Sequence, residues 1–124
     1  MYIKNLKKCE EIIAGDNTSL RELLNPLKEN LNIRYSLAQA TVKPGKVTYK
    51  HKLQSSEVYY ILEGEGEIHI DNEKENVSAG QSIYIPPNSV QNIKNTGLTD
   101  LVFLCIADPA WRPEDEEIME KQDR

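Results

Sequence analysis

Residues 45–70 read GKVTYKHKLQSSEVYYILEGEGEIHI, and the fold is decided there. Lys43-Pro44-Gly45 stops whatever precedes it, and residues 46–53 form a candidate strand. Residues 57–62, Glu-Val-Tyr-Tyr-Ile-Leu, are a compact run rich in β-branched and aromatic side chains, which suit a pleated surface. Gly64-Glu65-Gly66 is a bend. Beyond it Ile68 and Ile70 alternate with Glu67, His69 and Asp71, so that strand should have core on one side and water on the other. The parity of 57–62 differs. Glu57, Tyr59 and Ile61 share one face and Val58, Tyr60 and Leu62 the other. A strand apolar on both faces is expected to be buried on both, with its outer side against a second sheet or a partner subunit.

Working outward, short apolar runs punctuated by Gly, Pro and Asn continue in both directions. Residues 33–42, 82–85, 90–95 and 101–107 are further candidate strands. Asp71-Asn72-Glu73, Ala79-Gly80 and Pro86-Pro87-Asn88 are turns. The pattern is that of an all-β sandwich or barrel. The N-terminal part is more ambiguous. Residues 9–14 suit a short strand and Gly15-Asp16-Asn17 a turn. Ser19-Leu20-Arg21-Glu22 has the form of a capping box for a helical turn, yet Leu20, Glu22 and Leu24 also alternate as on a strand. From Arg112-Pro113 the tail predicts a short helix, with Pro at its first position, acids in its first turn and Glu117 facing Lys121.

The chain has 124 residues, 28% of them charged, and a formal net charge of -5. That length makes one domain, residues 1–124, with its barrel core at about 33–107. No basic patch exists to meet phosphates, so no nucleic-acid partner is expected. No apolar run approaches the ~20 residues of a membrane span. The first residues lack the apolar core of a signal peptide, so a cytoplasmic location is expected. Cys9 and Cys105 have no zinc-site spacing and read as free thiols, with Cys105 packing in the core. The acidic run Glu114-Asp115-Glu116-Glu117 reads as solvated surface.

Two motifs resemble those of the cupin superfamily. The first runs Gly45, five residues, His51, Lys52, Leu53, three residues, Glu57, six residues, Gly64. It fits the family pattern except that Leu53 stands where a second His is usual. The second runs Gly80, five residues, Pro86, Pro87, Asn88, two residues, Gln91, three residues, Asn95. Here Asn88 replaces a Gly and Gln91 replaces a His. The resemblance implies a double-stranded β-helix, the jelly-roll cupin barrel, with a short N-terminal segment and the short C-terminal helix.

The resemblance also implies an interior divalent-metal site, held by His51, Glu57 and Gln91. Leu53 cannot ligate, and Gln91 offers only a neutral amide oxygen. The metal would be Mn, Fe, Zn or Ni, an oxygen-rich set favouring Mn or Fe over Zn. The metal-free alternative is a His51–Glu57 hydrogen-bonded pair, with both residues catalytic as acid and base. Parity places Tyr49, Leu53 and Tyr59 on the inner face as substrate-binding wall for a small-molecule ligand. His69 falls on the outer face. Trp111 would cap the barrel mouth or meet another subunit.

Three functions are consistent with these residues. One is a metal-dependent enzyme on a small organic molecule, isomerase-, oxygenase- or decarboxylase-like. The others are a metal-free epimerase-like enzyme and a non-catalytic module that binds a sugar or other small ligand. A homodimer is expected through Val58, Tyr60 and Leu62.

Overall fold

The structure, a computed structural model, describes residues 1–119. Among the described residues eleven strands form in chain order. They are β1 (Glu11–Ile13), β2 (Ser19–Leu24), β3 (Ser36–Val42), β4 (His51–Leu53), β5 (Ser56–Glu63), β6 (Glu65–Ile70), β7 (Glu73–Ser78), β8 (Ser82–Ile85), β9 (Gln91–Asn95), β10 (Leu101–Asp108) and β11 (Glu116–Ile118). One sheet has the order β1-β2-β3-β10-β5-β8 and the other β11-β4-β9-β6-β7. Neighbours are antiparallel throughout. The inner faces of both sheets supply one core, in which Ala40, Ile61, Ile85, Leu101 and Phe103 from the first meet Ile68, Val77 and Ile93 from the second. This is the expected jelly-roll barrel.

Alternation builds that core. Ser36, Ala38, Ala40 and Val42 of β3 are buried and the residues between them are not. The parity on β5 is as read: Glu57, Tyr59 and Ile61 are buried. Their counterparts on the outer face are not covered within one chain, for Tyr60 and Leu62 are exposed and Val58 half-buried. On β6, Ile68 is buried and Ile70 packs against the core. His69 lies on the outer side, its Nε2 2.7 Å from Glu67 Oε1.

Two turn positions show why particular residues were needed. Gly64 has φ +85°, and a Cβ there would stand 2.5 Å from the Asp100 carbonyl oxygen. Asn88, which occupies a glycine position of the second motif, has φ 64°. Asn is among the few residues with a side chain that enter the left-handed region at small cost, so the turn survives the replacement. Asn95 closes the same motif structurally. Its Nδ2 donates to the Val42 and Thr99 carbonyls and its Oδ1 accepts from the Gly97 N–H.

Two sequence expectations are corrected or resolved. The segment after Arg112 is not a short helix. Only Pro113–Asp115 make a single 3-10 turn, and the chain then runs as β11 along β4. The open edge of β4 satisfies the backbone there: Gln54 N–H donates to the Asp115 carbonyl and Met119 N–H to the Lys50 carbonyl. A helix of this length gains too little by itself to compete with a waiting sheet edge. The expected partner of Glu117, Lys121, lies outside the described residues. The same logic resolves residues 19–24 as strand, because β2 pairs on both sides, with β1 and β3. Finally, β7 was not read as a strand at all. Only its Val77 is buried, so it carries almost no apolar signal and forms because β6 pairs with it over six residues.

Candidate functional site

His51 opens β4 and is buried. Its Nδ1 lies 3.0 Å from the Tyr49 carbonyl oxygen. A carbonyl only accepts, so Nδ1 carries a proton, and Nε2 is the ring atom that faces the barrel interior. There it meets two carboxylates: Asp16 Oδ2 at 3.6 Å and Glu116 Oε2 at 3.7 Å. These separations are too long for hydrogen bonds. The three atoms lie within 4.8 Å of one another.

Each acid is placed by its backbone. Asp16 sits in the turn between β1 and β2, where its Oδ1 accepts from the Thr18 N–H at 3.1 Å and its carbonyl accepts from the Tyr49 N–H at 2.9 Å. Oδ2 is thereby left over for His51. Glu116 lies directly across the β4–β11 ladder from Leu53. A carboxylate from the neighbouring strand thus reaches the place where the family carries its second His. The Gly15 backbone lies against the Glu116 carboxylate, and a Cβ on Gly15 would stand 2.7 Å from Glu116 Oε1. The N-terminal turn and the C-terminal strand therefore touch over His51.

Glu57 and Gln91 form a second layer. Gln91 Nε2 donates to Glu57 Oε1 at 2.5 Å, and Tyr59 OH donates to Gln91 Oε1 at 3.0 Å. The Gln91 oxygen expected to ligate a metal is thus already an acceptor for Tyr59, and its amide nitrogen faces Glu57. In this arrangement Gln91 orients Glu57. Burial pushes the Glu57 carboxyl up to about 7, a rise opposed chiefly by His51 and by the Gln91 hydrogen bond and reinforced by Asp16 and Glu116. Burial, with Asp16 beside it, raises Glu116 as well. Tyr59 and Cys105 are pushed well above their ordinary values, mainly by burial.

His51, Leu53, Glu57, Tyr59, Cys105 and Trp111 line one cavity together with Asp16 and Glu116. It offers ≈ 40 Å³ to the centre of a water-sized sphere, several times the ~10–15 Å³ that one water requires. An ion with a small ligand fits. Tyr49 is not in the wall; it enters the site through its backbone N–H and carbonyl. Trp111 walls the cavity on the side of Asn25 and Lys28. Sequence reading missed Asp16, taken as part of a turn, and Glu116, taken as solvated surface. The Glu116 side chain is only 7% exposed. The one available signal was alternation: Glu116 and Ile118 turn inward around the exposed Glu117.

The donor set suits a divalent cation. Two ligand atoms each about 2.1 Å from one ion stand roughly 3.6 Å apart when the angle between them is about 120°. The His51–Asp16 and His51–Glu116 separations, 3.6 and 3.7 Å, are near that value and somewhat wider than the roughly 3.0–3.4 Å of octahedral or tetrahedral neighbours, so binding would draw the ligands slightly together. A metal-bound His normally donates its other N–H to a carbonyl or carboxylate, as His51 does to Tyr49.

A β-barrel of this topology with a buried histidine–carboxylate interior defines the class, and comparison agrees. The Cupin domain family matches residues 38–107, and the chain belongs to it. An uncharacterized protein of Methanocaldococcus jannaschii is 43% identical over 116 residues, covering 91% of this chain and 90% of that one. An oxalate-binding protein of Thermotoga maritima is 36% identical over 70 residues, 56% of this chain and 58% of its own. Among solved structures, the polyketide cyclase RemF of Streptomyces resistomycificus superposes with a TM-score of 0.80 at 20% identity, over 99% of this chain and 88% of that one. At that identity the likeness concerns the fold. Among the described residues no helix is long and apolar enough to cross a membrane.

Proposed function

We propose that this cupin is a metal-dependent protein acting on a small organic molecule, with a divalent cation held by Asp16, His51 and Glu116. The observation that carries the reading is the convergence of three buried ligand atoms, from Asp16, His51 and Glu116, within 4.8 Å of one another. Without a cation, buried carboxylates this close repel one another, and protons on a carboxyl or on His51 must offset their charge. The donor set of one imidazole and two carboxylates favours Mn or Fe over Zn. Such an ion supplies Lewis acidity to a bound oxygen atom.

The chain's own groups do the rest. Glu57, oriented by Gln91 and Tyr59, holds a proton at its carboxyl near neutral pH and can pass it to or take it from a ligand in the cavity. Leu53, Phe103 and Trp111 exclude water from the same space. Isomerase- and decarboxylase-like reactions can use a Lewis acid beside such a proton carrier, and an oxygenase-like reaction would need the ion to be redox-active. Metal analysis of protein dialysed against Mn²⁺, Fe²⁺ and Zn²⁺ tests the proposal, which predicts one ion per chain. Metal retention no greater than that of a His51→Ala variant would refute it.

A second reading has its own support. Glu57 near 7 is poised for acid–base work without any metal, in an epimerase-like reaction with His51 or, with no turnover, in a binding module. Turnover that survives chelation would favour it. We also propose a homodimer, formed through the outer face of β5, β8 and β10. There Val58 pairs with Tyr84 and Ile106, and Tyr60 with Leu104, to make a continuous apolar surface. Free Cys9 and Cys105 suit the reducing cytoplasm.

A further inference from the structure

We infer that Trp111 stands at the mouth of the interior cavity and sets the largest ligand it admits, a compact molecule of a few heavy atoms without an aromatic ring. This rests on the reading above that the ligand binds in that cavity. The space is small. It offers ≈ 40 Å³ to the centre of a water-sized sphere, against the roughly 300–1,000 Å³ of sites for drug-sized ligands.

Most of the wall is fixed. Leu53 and Tyr59 are buried, and Phe103 is 1% exposed, its ring centroid 4.6 Å from that of Tyr59. Tyr59 is also tied through its hydroxyl to Gln91. From β3 and β10 come Ser36, Ala38 and Ala107, already too small to trim. Trp111 differs from all of these. It belongs to no strand, it is only half-buried, and its side chain packs against the core from beyond the end of β10.

Water meets the wall at this residue. Glu22 lines the cavity beside Ala38, and its carboxylate binds Lys28, whose side chain is 56% exposed. The same ammonium stands 6.0 Å from the centroid of the Trp111 ring, at the edge of cation–π reach. Buried Asn25 joins the two sides: its Nδ2 donates to Glu22 Oε2 at 2.8 Å and to the Trp111 carbonyl at 3.1 Å. The Trp111 N–H donates to Ser36 Oγ at 2.8 Å. Hydrogen bonds on both sides of the residue thus hold its backbone in place, and a ligand passing between Glu22 and Trp111 must fit past the indole. An exposed ion pair such as Lys28–Glu22 opposes that passage little.

The test reads the cavity from within. Cys105 lines it from β10, and in a Cys9→Ser background it is the one thiol of the chain. Methyl and benzyl methanethiosulfonate are both uncharged, and each passes its alkylthio group to the thiolate and releases methanesulfinate. Labelling of the metal-free full chain is followed by mass spectrometry, with each rate divided by that of the urea-unfolded chain. Benzyl transfer should be at least tenfold slower than methyl transfer by this measure. Trp111→Ala should speed benzyl transfer at least tenfold and methyl transfer less than threefold. Trp111→Phe, the gentler change should the first disturb folding, should fall between. Equal normalised rates on the natural chain overturn the inference. So does a ratio that the folded variants leave unchanged, or a thiol that neither reagent reaches before unfolding. Because no metal takes part, failure here leaves the proposed centre standing, and a chain that binds no metal leaves this size limit standing.

Discussion

His51 Nε2 and Asp16 Oδ2 stand 3.6 Å apart inside the barrel, although 35 residues separate them in the chain (51 − 16). That separation exceeds a hydrogen bond and leaves room for a cation between the two atoms. Asp16→Asn and Glu116→Gln should each weaken Mn²⁺ binding at least tenfold, about 1.4 kcal/mol or more. Gln91→Ala should change it by less than threefold, because its amide serves Glu57. Competition titration against a metallochromic dye reads all three. If Gln91→Ala loses the metal while Asp16→Asn keeps it, the ligands are those of the sequence motif instead.

Gly15 predicts a subtler effect on the same centre. Its added Cβ in Gly15→Ala would occupy space 2.7 Å from Glu116 Oε1 and 3.3 Å from Ile118 Cδ1. Glu116 must move or β11 must lift. We expect metal affinity to fall severalfold with a thermal-stability loss of only about 1 kcal/mol, since β11 is a three-residue edge strand. Unchanged metal affinity would show that Glu116 does not ligate.

The buried carboxyl of Glu57 predicts a pH dependence of stability in the metal-free protein. Its folded value of about 7 lies above the 4.5 of a free glutamate. The folded state thus holds the proton more tightly than the unfolded state between those values. Stability from this group is greatest below about 4.5, falls as pH rises through that window, and is fully lost above about 7, a change on the order of 3 kcal/mol. Urea denaturation from pH 5 to pH 8 should show the fall, and Glu57→Gln should flatten it. An equal slope in the variant would place the titration elsewhere.

The outer face of β5 predicts assembly. Tyr60 is 42% exposed and Tyr84 62% exposed, with Val58, Leu104 and Ile106 between them on adjoining strands. Light scattering should report a dimer at micromolar concentration. Tyr60→Lys, which places a charge at the centre of that face, should give a monomer with unchanged circular dichroism. A natural protein that is already monomeric would refute the assembly.

Much of this barrel is legible from residues 45–95 alone. Fixed spacing of Gly, Pro and Asn sets the turns, and alternation sets which side chains point inward, so His51, Leu53, Glu57 and Tyr59 were placed correctly in the interior. Both signals are local. The helix expected after Arg112 failed because Pro and acids are equally compatible with one turn followed by a strand, and only the vacant edge of β4 chose. The polar β7 was invisible for a similar reason, since its partner and not its composition makes it a strand.

The sequence by itself determined the class of fold and part of the cavity wall, Leu53 and Tyr59 with His51 and Glu57, because period-two patterning and turn chemistry act over a few residues. The tertiary structure decided the centre. Asp16 and Glu116 come from opposite ends of the chain, look like turn and surface when read locally, and acquire their meaning only when two sheets close and bring both carboxylates to one imidazole. Convergence of that kind depends on strand register across β4, β9 and β11, which no local pattern encodes.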